Sequence, residues 1–229
     1  MEPMTTKTQR AERRTDALSK ERIVEAAIEI LDADGEGALT FRALTARLST
    51  GAGAIYWHVA NKNDLLAAAT NDVIAWVMTE VEGDAEPRQA IRAITLGIFD
   101  AIDAHPWVGA QLSAEPWHPA MLRIFEGIGQ QLQALGVPAR AQFDCASALL
   151  SYLLGLAGQY AAGARLIPRG TDRAAFLAAF AAQWAALDPA KYPFLRRVAA
   201  QLPGHDDREQ FLAGVNLILA GIETAGARR

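Results

Sequence analysis

Six side chains between Thr40 and Lys62 have the types and spacing to bind a polyanion: Arg42, Arg47, Tyr56, Trp57, His58 and Lys62. Two guanidinium groups and an ammonium neutralise phosphates, while phenol, indole and imidazole hydrogen-bond to phosphate oxygens or base edges. No Asp or Glu stands in that interval, so nothing cancels its charge locally. The whole chain is acidic, with a net charge of −4, and from Asn63 onward 17 acidic residues stand against 13 Lys and Arg. A basic module is therefore joined to an acidic body, and screening beyond about 10 Å lets each keep its own sign.

The elements that must carry these residues follow from caps and apolar spacing. Thr40 predicts an N-cap for a short helix with Phe41, Leu44 and Leu48 on one side. Ser49-Thr50-Gly51 breaks it, and Ile55 and Val59 resume the apolar pattern on a second. Two short helices, a tight turn and an apolar wedge of Leu44, Leu48, Ile55 and Val59 make a helix-turn-helix. Gly51, Ala52, Gly53 and Ala54 give its second helix a small tip that lets the backbone approach DNA closely. Tyr56, Trp57 and His58 point in three directions, so at least one is exposed. The candidate DNA contacts are Thr40, Arg42, Arg47, Thr50, Ala52, Gly53, Ala54, Tyr56, Trp57, His58 and Lys62.

Around this unit, Ser19 caps a helix carrying Ile23, Ala26, Ala27, Ile30 and Leu31, ended by Asp34-Gly35-Glu36-Gly37. Asn63 caps another, with Leu66, Ala69, Val73, Trp76 and Val77 at helical intervals. Residues 1–18, with Lys7, Arg10, Arg13 and Arg14, are either a solvated tail or an arm on the DNA backbone or minor groove. Beyond a boundary at 83–87 every segment has helical periodicity between Pro and Gly breaks, and no strand-period run occurs. The expected fold class is all-α. Its domains are an arm at 1–18, a DNA-binding domain with connecting helix at 19–84, and a body at 85–229.

The apolar content of 51% and charged content of 21% are those of a globular chain. The single cysteine, Cys145, excludes an internal disulfide framework and reads as a buried structural thiol. No secretory segment precedes residue 20, and the richest apolar run, 148–164, is interrupted by glycines and polar residues. A soluble, cytoplasmic protein is expected.

Leu39 to Leu44 and the block Ile55-Tyr56-Trp57-His58-Val59-Ala60-Asn61-Lys62-Asn63-Asp64-Leu65-Leu66 resemble the DNA-binding domain of the TetR family. Tyr192-Pro193-Phe194-Leu195, Phe211 to Asn216 and Ala220 to Glu223 resemble the C-terminal domain of its tetracycline-repressor-like branch. Thr45 and Ser49 depart from the family pattern, where alanine and glycine are usual. Residues 52–54 lack the polar side chains with which that branch reads bases, so the operator sequence does not transfer.

The resemblance implies a repressor that binds a palindromic double-stranded DNA operator as a homodimer and is released by a small-molecule effector. Leu212, Val215, Leu219 and Ile222, and likewise Leu149, Leu153, Leu156 and Tyr160, form seams facing either the chain's own core or a second copy. The family implies the second copy. It also places an effector pocket in the body, where Phe99, Asp103, His105, Trp107, Gln111, Trp117, His118, Met121, Phe125, Tyr152, Gln159 and Phe176 supply an apolar lining with polar tips. The family's magnesium site is not evident, and neither metal nor cofactor nor membrane partner is expected.

Two other classes fit less well. An enzyme would need a motif the chain lacks: no G-x-S-x-G, H-E-x-x-H or Walker loop is present, and Tyr56 stands where a dinucleotide loop needs its third glycine. An architectural DNA binder without an effector leaves the body after residue 84 without a purpose.

Overall fold

The computed structural model describes residues 18–81, 85–114, 118–166 and 172–227. Ser19 Oγ accepts the Arg22 amide at 3.3 Å and opens α1 (Lys20–Asp34), which buries Ile23, Ala26, Ala27, Ile30 and Leu31. The helix stops because Gly35 adopts φ 77°, where its amide returns to the Leu31 carbonyl at 3.0 Å. A short 3-10 turn, Glu36–Ala38, leads to α2 (Phe41–Leu48), capped by Thr40 Oγ1 on the Ala43 amide at 3.1 Å.

The turn after α2 is made by Ser49 in the left-handed region, φ 50° and ψ 44°. Among the described residues no other non-glycine has positive φ. That conformation costs an L-residue about 1–2 kcal/mol, a strain that glycine at this position would not carry. Ser49→Gly is expected to stabilise the protein by about 1 kcal/mol. A melting temperature that fails to rise by about 2–4 °C would show that the strain is relieved locally.

After the turn come α3 (Ala52–Tyr56) and α4 (Lys62–Val81). The cap of α4 is Asn61, not Asn63: Asn61 Oδ1 accepts the Asp64 amide at 2.9 Å, and its Nδ2 donates to Asp64 Oδ2 at 3.1 Å. Trp76 also departs from expectation, being 67% exposed while Val73 and Val77 are buried. At about 100° per residue it lies beside Ala69 at the edge of the stripe of Leu66, Ala69, Val73 and Val77, so spacing alone did not separate it from the buried face.

The body holds α5 (Pro87–Ala104), α6 (Pro106–Ala114), α7 (Pro119–Ala134), α8 (Ala139–Leu166), α9 (Arg173–Ala185), α10 (Pro193–Val198), a 3-10 turn (Ala199–Gly204) and α11 (Asp207–Ala227). The described residues form an all-helical fold. The C-terminal half of α4 packs on α5 and α7, and α8 runs along α6 and α7. Antiparallel α5 and α11 are stitched along their length. Arg88 pairs with Glu223, Arg92 Nε donates to Asn216 Oδ1 at 2.6 Å, and Arg208 grips Asp100 at 2.8 and 3.1 Å.

Between those polar rungs the rings of Phe99 (α5), Phe211 (α11) and Tyr152 (α8) stack, with centroids 4.9 and 5.4 Å apart. Gly214 makes this possible, since a Cβ there would collide with the Tyr152 ring. Cys145 is half-buried, and desolvation with help from Asp144 pushes its thiol up from the usual range, away from the reactive thiolate. Among the described residues no helix is long and apolar enough to cross a membrane.

The proposed dimer seams turn inward. Leu149, Leu153, Val215, Leu219 and Ile222 are buried in the chain's own core, and Leu156 and Leu212 are half-buried. Apolar spacing identifies a face but not what the face meets. These two helices pack on each other and on α5, so their apolar faces are spent within one chain. The Tyr160 side chain lies outside the described residues.

Candidate nucleic-acid interface and the body behind it

Leu44 and Ile55 are fully buried and Val59 nearly so, locking α2 against α3 beneath α1. With Ile55 inward, Gly53 points most nearly away from the core, flanked by Ala52 and Ala54. A Cβ at Gly51 or Gly53 would meet nothing within 4 Å, so packing inside the chain requires neither glycine. Tyr56 stacks on Phe41, centroids 4.4 Å apart and 13° from parallel, which fixes the direction of its half-exposed ring. Trp57 is 89% exposed and His58 is exposed beside it. Tyr56, Trp57 and His58 line one surface recess with Lys20 and Asp64, and Arg42 is exposed next to Phe41, the ring on which Tyr56 stacks.

The remaining candidate contacts are partly engaged. The Thr40 hydroxyl serves as a cap, and Thr50 is half-buried in the turn. Arg47 Nε pairs with Glu29 at 2.6 Å, both side chains about half exposed. Such a surface pair is worth about 0–1 kcal/mol, too little to withhold Arg47 from a phosphate. Lys62 differs more: its Nζ donates to the Glu36 carbonyl at 2.6 Å, tying α4 to the 3-10 turn. The arm at residues 1–17 lies outside the described residues.

The candidate effector residues divide into groups. Phe99 and Tyr152 belong to the ring stack, and burial raises the Tyr152 hydroxyl above the usual phenol range. Met121 is buried and Phe125 half-buried on α7, with Phe125 edge-on to Phe143. His118 caps α7, its Nδ1 accepting the Ala120 amide at 3.1 Å. Asp103 and Gln159 are exposed, and Phe176 sits on α9 against Phe180. Trp117 lies outside the described residues.

His105, Trp107 and Gln111 are brought together, but on the DNA-binding module. His105 Nδ1 and Trp107 Nε1 both donate to Asp32 Oδ1 at 2.7 Å, and Gln111 Nε2 lies 3.4 Å from Glu36 Oε2. An ionised carboxylate only accepts, so it fixes the imidazole tautomer with its proton on Nδ1. Sequence reasoning missed both partners, reading Glu36 only as part of the helix-ending run and not singling out Asp32. It also missed a cavity of about 240 Å³ between α4, α5 and α7, lined by Met78, Val81, Ala90, Ile94, Gly127, Gln130 and Gln131. The Met78 methyl occupies the space a Cβ on Gly127 would take, a pairing that no spacing rule announces.

A helix-turn-helix with an exposed aromatic and basic face, carried on a larger helical body, defines a DNA-binding transcription regulator. Residues 23–69 match the family of bacterial regulatory proteins called tetR, and residues 82–225 match the tetracyclin repressor-like C-terminal domain. The chain belongs to the TetR family. It is 32% identical over 213 residues to an HTH-type transcriptional regulator of Saccharopolyspora erythraea, covering 91% of this chain and 86% of that one. It is 26% identical over 222 residues to the HTH-type transcriptional repressor DrrR1 of Streptomyces coeruleorubidus, covering 93% and 80%. Among solved structures, the TetR regulator SCO7222 of Streptomyces coelicolor shares 50% identity and superposes with a TM-score of 0.82, covering 92% of this chain and all of that one. ActR of the same organism, solved with actinorhodin, shares the fold at 23% identity and a TM-score of 0.75, with 92% and 98% covered.

Proposed function

We propose that two copies of this chain bind a palindromic operator, repress the adjoining gene, and are released when a small molecule enters the body. The observation that carries the DNA half is the exposure of Gly53, Tyr56, Trp57, His58 and Arg42 on a helix-turn-helix held by a buried wedge, with Lys20 beside the aromatic side chains and Asp64 the acidic residue at their edge. Repression is the sign that the name of the Streptomyces coeruleorubidus relative carries. Release by a ligand is supported by ActR, whose fold holds actinorhodin. Phe99, Met121, Phe125 and Tyr152 border the interior between α5, α7 and α8 and are the proposed effector contacts. The 240 Å³ cavity between α4, α5 and α7 lies apart from these residues and falls below the roughly 300–1,000 Å³ of small-molecule sites.

For the dimer, the exposed faces of α8 and α11 replace the inward seams. Ala148, Ser151 and Gly155 line one, and Ala213, Leu217, Ala220, Gly221 and Thr224 the other. Leu217, 76% exposed, is the large apolar residue among small ones that allow close helix approach.

Selection from a random duplex pool with the full-length protein tests this reading, and a two-fold symmetric site is expected. Tyr56→Phe keeps the stack on Phe41 and removes only the hydroxyl, which should weaken that site about 5- to 10-fold. Arg42→Ala should lower the slope of log K against log salt by about 1. Recovery of no preferred sequence would sink the proposal.

A further inference from the structure

We infer that Asp32 is a positioning residue that sets the angle of the helix-turn-helix on the body, and with it the half-site spacing the dimer accepts; this rests on the operator reading above. The two parts share α4, whose Leu65, Leu66 and Ala69 are buried with the DNA-binding module while Ile74 and Val77 are buried with the body. A shared helix is an axle. Apolar packing around it is non-directional and fixes rotation poorly, whereas hydrogen bonds are directional.

The tie to the body formed by Asp32 lies off that axle, at the last turn of α1. One oxygen, Asp32 Oδ1, receives both His105 Nδ1 and Trp107 Nε1 at 2.7 Å across 73 and 75 residues of sequence. Glu36 adds a contact to Gln111 at 3.4 Å, and Lys62 holds the Glu36 carbonyl against the base of α4. The three donors on the body side fall between His105 and Gln111, and the acceptors between Asp32 and Glu36. Trp107 is buried, so its indole N–H has a costly alternative to this bond. Behind the donors, α6 packs along α8 and against α4, which gives the tie a rigid backing.

In a dimer, each reading helix must reach its own half-site, about 34–36 Å from the other. One inserted base pair turns the second half-site by about 35°, which a fixed angle does not follow and a loose one does.

The test uses full-length protein and the operator recovered by selection, remade with one or two base pairs inserted between half-sites, beside an isolated half-site. The wild type is expected to lose about tenfold or more per insertion, within the range usual for coupling between sites. Asp32→Ala should lose about threefold or less while its affinity for the isolated half-site is unchanged. Asp32→Asn, which keeps an acceptor oxygen at the same place, should restore the discrimination. The inference is overturned if Asp32→Ala keeps the wild-type spacing ratio. It is equally overturned if that variant weakens half-site and full operator alike with a lowered melting temperature, since Asp32 would then serve folding only. A wild type with no spacing preference removes the operator reading and this inference together.

Discussion

Leu217→Asp is expected to give a folded monomer whose affinity for a palindromic operator falls by about 10²–10⁴-fold, the gain that linking two binding modules provides. Leu217 is 76% exposed on α11, so the substitution disturbs no contact in the core of the single chain. In a two-fold interface each copy's Leu217 would be covered once, worth about 1.5–3 kcal/mol per side chain. Two carboxylates brought into that seam add repulsion and desolvation. Leu219 provides the contrast, because it is only 1% exposed and belongs to the core. Leu219→Ala should cost about 2–5 kcal/mol of stability while leaving the dimer intact. Gel filtration and operator titration separate the two variants, and a dimeric Leu217→Asp with unchanged operator affinity would place the interface elsewhere.

Phe211→Ala should have the largest effect on stability, a loss of about 3–5 kcal/mol. Its ring is 1% exposed and lies between Phe99 and Tyr152, so three helices lose their common filler at once. The melting temperature should drop by about 6–20 °C at that loss. Tyr152→Phe is the control, since it keeps the stack and removes only the 3.3 Å bond to the Phe211 carbonyl. A drop of only a degree or two for Phe211→Ala would mean that the stack does not hold α5, α8 and α11 together.

Much of the reading head was legible because its signals are local. Thr40 lies three residues from the amide it caps, and Leu44, Ile55 and Val59 are near neighbours along the chain. Where local signals competed, the sequence misled. Asn61 and Asn63 are equally good caps by type, and only Asn61 meets the Asp64 amide. Trp76 joined an apolar run by spacing and ended on the surface.

By itself, the sequence determined the helical class, the helix-turn-helix and its basic and aromatic face, all set by contacts within a few residues. It also contained the apolar stripes of α8 and α11, and polar tips such as His105, Trp107 and Gln111. The tertiary structure decided what those groups meet. The stripes turned into the core because α5 packs against both, leaving Leu217 on the outside. Three presumed effector contacts became the junction with Asp32 and Glu36, across more than 70 residues of chain. Periodicity fixes which side chains share a face, whereas the partner of that face depends on how distant helices pack.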